Sequence, residues 1–117
     1  MYCVHGYLSH ALLFPHCHVI VHHGGSGTVG SSLRAGVPQI ICPFMFDQSY
    51  WADKITWLGL GQSIGHPRSL TAPKFADALR KVSSSDIQHN AKQYGKLLEK
   101  EDGVGVAVQH INKALGR

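Results

Sequence analysis

Val19-Ile20-Val21-His22-His23-Gly24-Gly25-Ser26-Gly27-Thr28 is the stretch that decides the fold. An apolar run leads into a glycine-rich turn, and a helix-like segment over residues 26–35 follows, with Val29 and Leu33 one turn apart and Gly36 as its stop. Strand, glycine turn and helix in this order make the anion-binding corner of a parallel α/β domain. Side chains at such a turn would block a ligand, whereas the first amides of a helix are unpaired and carry the positive end of its dipole. The expected ligand is a phosphate compound. The glycines alone do not say which.

Outward from this corner, strands and helices alternate. The pattern predicts short strands over residues 2–5, 18–22, 38–42 and 62–64, with 8–14 a loop or a single helical turn before Pro15. A helix is expected over 47–58, with Trp51, Ile55 and Leu58 on one face and Gly59 and Gly61 closing it. Thr71 caps another, in which Pro73 fits the first turn and Phe75, Leu79 and Val82 face inward. Beyond the joint Ser83-Ser84-Ser85, one helix is marked by Ile87, Ala91, Tyr94 and Leu98, and the last by Val104, Val108, Ile111 and Leu115. The fold class is α/β, a parallel sheet of three or four strands with right-handed crossovers. So thin a sheet has sticky, unpaired edges when it stands alone.

The length of 117 residues suits one domain, and 44% hydrophobic with 15% charged residues is a globular balance. No apolar run is long enough to span a membrane, and residues 1–20 lack the basic start and cleavage site of a signal peptide. The expectation is a cytoplasmic protein, peripheral at most at a membrane. Cys3, Cys17 and Cys42 are an odd count without paired spacing, which predicts reduced, buried thiols and no disulfide framework. The net charge of +4 raises the question of nucleic acid, but Lys92, Lys96 and Lys100 recur every four residues, as on one solvated helix face. Nucleic acid is therefore not an expected partner. Before Arg34 there is no Lys, Arg, Asp or Glu, so the first third reads as the inside of a sheet that something must cover.

Gly25 to Gly30 fits G-x-G-x-x-G, which keeps an NAD(P)-type dinucleotide-binding domain as an alternative. That reading needs an acid at the end of the next strand, and the strand ends at Cys42-Pro43, with Asp47 lying beyond Phe44-Met45-Phe46. No Lys follows the glycines, so a P-loop is excluded. His16, His18, His22 and His23 raise the question of a metal, yet a strand sends His22 and His23 to opposite faces and no carboxylate is near. Asp47 at a helix start is equally a plain N-cap, and Trp51 and Trp57 read as core and rim packing.

Several separated motifs carry a more specific likeness. Phe14-Pro15, Val21 to Thr28, Leu33-Arg34-Ala35-Gly36-Val37-Pro38, Pro43-Phe44, Asp47-Gln48 and Trp51-Ala52-Asp53 together resemble the donor-binding motif of UDP-sugar glycosyltransferases of family 1, above all its sterol and macrolide glucosyltransferase branch. The likeness continues through Leu58-Gly59-Leu60-Gly61, Leu70-Thr71 and Glu101-Asp102-Gly103. It implies a Rossmann-like sheet belonging to the C-terminal domain of a GT-B glycosyltransferase, here a single donor-binding domain over 1–117 without its first elements and without the N-terminal acceptor domain. By position, His23, Gly25, Ser26, Gly27 and Thr28 would hold the donor diphosphate, and Asp47 and Gln48 the sugar hydroxyls. Leu12 stands where relatives stack a Trp on the base, and Ser31 where the plant branch has a Glu for the ribose, so these are the candidate nucleoside contacts. The resemblance implies no metal and no other cofactor. It places the catalytic base outside the chain, so no residue of the chain is expected to be catalytic. The implied activity is transfer of a hexose, by likeness glucose, from a UDP-sugar to a hydroxyl of a lipophilic acceptor such as a sterol. The partners it implies are the nucleotide sugar and an acceptor domain, in the same full-length protein or in a partner chain. The alternative within this class is a non-catalytic split or truncated subunit.

Overall fold

The computed structural model describes residues 1–117. Three strands, β1 (Ile20–His22), β2 (Gln39–Ile41) and β3 (Gly61–Ser63), lie side by side in that order and all run parallel. The register sets His22 opposite Ile41 and Ile41 opposite Ser63. A one-turn helix α1 (His10–Leu13) and a 3-10 turn (Phe14–His16) precede β1. Helix α2 (Ser26–Ala35) joins β1 to β2, and α3 (Gln48–Trp57) joins β2 to β3. After β3 come α4 (Ala72–Val82), α5 (Ser85–Leu98) and α6 (Gly103–Ala114). The middle strand is shorter than its apolar run because Pro38 and Pro43 bracket it, and neither has an N–H for the ladder.

Alternation along β2 divides the core between the two faces of the sheet. Ile41 packs with Val29, Ala52, Ile55 and Leu60 under α2 and α3, while Ile40 packs with Ile64, Ala78 and Val82 under α4. A third cluster joins Phe14, Ile20 and Val37. Gln39, Ile40 and Ile41 are all 0% exposed, as a strand covered on both faces requires. Trp51 packs against the Ile55 cluster as expected, but Leu58 lies past the helix end, partly exposed, and Leu60 fills the core instead.

Four expectations fail. Residues 2–5 form no strand: they are exposed and pair with nothing, and so short a segment without a ladder partner has no reason to extend. Cys3 is consequently exposed rather than buried, whereas Cys17 and Cys42 are half-buried and donate to the carbonyls of Leu13 and Gly65; all three thiols are free. The first third is not wholly interior either, since Val21 on the edge strand β1 remains 49% exposed. The face of α6 marked by Val104, Val108 and Ile111 is exposed along its whole length, as is Leu115 just past the helix end, because the spacing reports amphipathy and not the presence of a partner. The row of Lys92, Lys96 and Lys100 is solvated, as its spacing predicts. No helix is long and apolar enough to cross a membrane.

Helix α5 reaches α2 through two glycines. Gly36 ends α2 at φ +67, and a Cβ on Gly95 would lie 2.9 Å from the Gly36 Cα and 3.1 Å from the Leu33 carbonyl oxygen. In a free helix Gly95→Ala would stabilise by roughly 1 kcal/mol. Here the methyl group must push α5 off α2, so urea denaturation of Gly95→Ala is expected to show a lower midpoint than the unsubstituted chain.

Candidate functional site

Turns that leave the C-terminal ends of neighbouring parallel strands emerge on one edge of the sheet, so the turn after β1 meets the loop after β2. Gly24 makes the meeting close. Its φ is +96, and a Cβ there would lie 2.8 Å from Ile41 Cγ2 and 3.1 Å from the Gln48 carbonyl oxygen. Both the backbone conformation and the contact require glycine. The N-termini of α2 and α3 are thereby brought side by side.

The start of α2 is open. Gly25 occupies the N-cap in extended conformation, no side chain caps the helix, and a Cβ added to Gly27 would meet nothing within 4 Å. The amides of Ser26, Gly27 and Thr28, in the first turn, therefore have neither an intrahelical partner nor a side-chain cap. Over that turn stands the exposed His23, whose Nε2 lies 2.8 Å from where a Gly25 Cβ would be. Of the five residues named for the diphosphate, His23 thus stands against Gly25, next to the uncapped first turn formed by Ser26, Gly27 and Thr28. This arrangement suits an anion, because fixed dipoles and an imidazole donor converge on it.

The start of α3 is built differently. Gln48 is 7% exposed, and its Oε1 accepts from the amides of Phe44 (2.8 Å) and Met45 (2.9 Å), which folds the loop between β2 and α3. Every buried side-chain nitrogen and oxygen has a partner. The Gln48 Nε2, which bonds to no protein atom, is therefore open to solvent. Asp47 occupies the N-cap position without capping: its Oδ2 accepts from the Trp51 indole at 2.9 Å, and its side chain is exposed. The residue before it, Phe46, is held at φ +55, a strained conformation for a bulky side chain that turns Asp47 outward. Trp51 combines core packing with this hydrogen bond, while Trp57 is 78% exposed under the Lys54 ammonium and packs on no core cluster.

The two candidate nucleoside contacts fare unequally. Ser31 lines a cleft of about 200 Å³ with Ala11, Pro15, Arg34 and Ala35, and its hydroxyl donates to the Gly27 carbonyl. Leu12, 76% exposed on α1, is not part of that lining.

Sequence reasoning missed a second pair, His22 and Gln39. The Gly24 amide donates to His22 Nδ1 at 2.9 Å, and His22 Nε2 lies 2.8 Å from the Oε1 of the fully buried Gln39. Burial lowers the His22 pKa from the ordinary 6.5; the neighbouring His23 and His10 also lower it, and only the bond to Gln39 opposes them. The signal was present in the chain: a Gln inside an apolar run needs a partner once the strand is buried. The His22 and His23 rings stand 6.5 Å apart at 89°, and no three His, Cys, Asp or Glu side chains converge as a metal-binding group.

Gln48→Ala removes the acceptor of two loop amides. A loss of about 1–3 kcal/mol in unfolding free energy is expected, measured by urea denaturation.

Known proteins resemble this chain in sequence and fold. Residues 4–100 match the model of the erythromycin biosynthesis protein CIII-like, C-terminal domain. A sterol 3-beta-glucosyltransferase of Cryptococcus neoformans var. neoformans serotype D is 41% identical over 109 residues, which cover 92% of this chain and 7% of that protein. Among solved structures, the spinosyn forosaminyltransferase SpnP aligns with a TM-score of 0.86 at 26% identity, over 99% of this chain and 31% of its own. The glycosyltransferase VinC, solved in complex with dTDP, aligns at 0.79 and 28% over 92% of this chain and 27% of its own. The dinucleotide alternative finds no such support, and Cys42, not an acid, follows β2. With its three-stranded parallel sheet, its glycine turn and a match running from residue 4 to residue 100, the chain belongs to the EryCIII-like C-terminal domain family of glycosyltransferases.

Proposed function

We propose that this chain binds the nucleotide-sugar donor of a glycosyltransferase that moves a hexose, glucose by likeness, from a UDP-sugar to a hydroxyl of a lipophilic acceptor such as a sterol. The observation that carries this reading is the contact of Gly24 with Gln48, which sets the open amides of α2 beside Asp47 and the free Gln48 Nε2. In this reading the diphosphate lies on the amides of Ser26, Gly27 and Thr28 under His23. Negative charge grows on the nucleoside diphosphate as it departs, and preorganised N–H dipoles stabilise it without a metal ion. Asp47 Oδ1 accepts from sugar hydroxyls while Gln48 Nε2 donates to one, a pairing that distinguishes hydroxyl orientations. The nucleoside runs toward the cleft at Ser31, where Leu12 covers the base without stacking on it.

No residue of the chain is assigned the role of base. The chain spans 7% of the length of its Cryptococcus relative and 31% of SpnP, so the acceptor site and the base are assigned to the remainder of a longer protein or to a partner chain. The exposed apolar face of α6 and the half-exposed Val21 favour a chain that works beside further polypeptide.

Calorimetry with UDP, UDP-glucose, TDP-glucose and NAD tests the reading. UDP and UDP-glucose are expected to bind and NAD to be inert, and absence of heat with every nucleoside diphosphate sinks the proposal. Gly27→Asp places a carboxylate in the first turn of α2, where its Cβ meets nothing within 4 Å and its charge complements the helix dipole. Its folding stability should hold or rise while affinity for UDP falls about tenfold or more. Asp47→Ala should weaken UDP-glucose by about tenfold and leave UDP unchanged.

A further inference from the structure

An amide in the middle of a three-stranded sheet is expensive to bury unless both its ends are engaged. Gln39 is 0% exposed on the central strand, and its Oε1 meets His22 while its Nε2 points to the Val29 carbonyl at 3.5 Å. The direction of these bonds follows from one unambiguous group. The Gly24 N–H can only donate, so the Nδ1 it meets at 2.9 Å carries no proton; a neutral ring then holds its proton on Nε2 and gives it to Gln39 Oε1. We propose that Gln39 is a positioning residue of the donor site: by holding His22 as the Nε2–H tautomer it keeps Nδ1 available to the Gly24 amide, and so fixes the turn that carries the Ser26, Gly27 and Thr28 amides.

This inference rests on the donor reading above and adds to it a residue that touches no ligand. If His22 adopts the other neutral tautomer, or gains a second proton, two N–H groups face each other at the turn. Gly24 is buried, so its amide has no water to turn to. The backbone there must open, and the cradle with it. The titrating groups that act on His22 are His23, next in the chain, and His10 on α1; both are bases, and Gln39 on β2 carries no charge. Burial thus outweighs the bond to Gln39, the one neighbour that favours an imidazolium. The ring stays neutral and serves as an acceptor for the turn.

Two variants separate positioning from plain packing. Gln39→Glu keeps an oxygen for the Nε2–H but adds a negative charge that favours the imidazolium, whereas Gln39→Leu keeps the bulk and removes the acceptor. In the unliganded chain, ring ¹⁵N shifts of His22 and the amide resonance of Gly24 are followed from about pH 8 to about pH 5. The unsubstituted protein should show a single Nε2–H tautomer; in Gln39→Glu the ring and the Gly24 amide should titrate together at a midpoint at least about one pH unit higher. Gln39→Leu should show mixed tautomers throughout. UDP affinity should follow: Gln39→Glu is close to the unsubstituted chain at about pH 8 and roughly tenfold weaker at about pH 6, and Gln39→Leu is weaker at both. An unchanged ring tautomer and Gly24 amide in both variants overturns the proposal, as does a pH-independent loss of affinity in Gln39→Glu. If a buried carboxylate prevents folding, the tautomer in Gln39→Leu decides alone. Failure of the unsubstituted chain to bind UDP removes the donor reading and this one together, whereas a wrong ring state with UDP still bound removes only the role of Gln39.

Discussion

The candidate site depends on Gly24 standing where no Cβ fits. Ile41 Cγ2 and the Gln48 backbone occupy the volume that any other residue would need, so the turn after β1 is pressed against the end of β2 and the start of α3. Parallel strands bring both turns to the same edge, and this close contact then joins them into one surface. The same glycine donates its amide to His22, which links the turn back to Gln39 in the centre of the sheet. Core packing and ligand geometry are therefore coupled through a single backbone position. A shift of β2 of even a few tenths of an ångström is transmitted to the amides of α2, because close-packed interiors pass strain on rather than absorb it.

The elements that the sequence showed clearly are those whose determinants are local. Residues 26–35 were legible as a helix to the residue, because the glycine turn starts it and Gly36 in the left-handed conformation ends it. The helix over 47–58 shows as Gln48–Trp57 for the same kind of reason. What was not legible depends on a partner distant in the chain. Residues 2–5 have strand propensity and no ladder; Val104, Val108 and Ile111 share a helix face with nothing upon it. Propensity and periodicity describe what a segment could bury and are silent on whether anything arrives to bury it.

The site divides along the same line. His23, Gly25, Ser26, Gly27 and Thr28 lie on consecutive or nearly consecutive positions, so their closeness around the start of α2 is local geometry. Asp47 and Gln48 could be picked out by resemblance, but their hydrogen bonds could not: the carboxylate receives an indole N–H from four residues ahead, and the amide ties down Phe44 and Met45. Both side chains hold the loop with one polar atom and leave another free. Residues with this double use are easily misread as caps or as ligands alone. The His22–Gln39 bond joins residues 17 apart across two strands, and only the pairing of β1 with β2 makes it.

The cradle contains no Lys or Arg; the first cationic residue that is not a histidine, Arg34, sits in the last turn of α2, a helix length away from Ser26. A diphosphate here would be met by backbone dipoles and one imidazole. Such partial charges are held rigidly but are weak in water, and they strengthen as the local dielectric falls. Ser26, Gly27 and His23 are all exposed in this chain, so its dipoles act at nearly full solvent screening. Covering that edge would dry the cradle and strengthen every N–H that points into it, with no new contact to the anion. On the proposed reading binding and transfer would separate: a bare cradle would hold a nucleoside diphosphate only weakly, and stabilising the charge that grows during bond cleavage would need a covered one. Val21, two residues before His23, leaves apolar surface open beside the same turn.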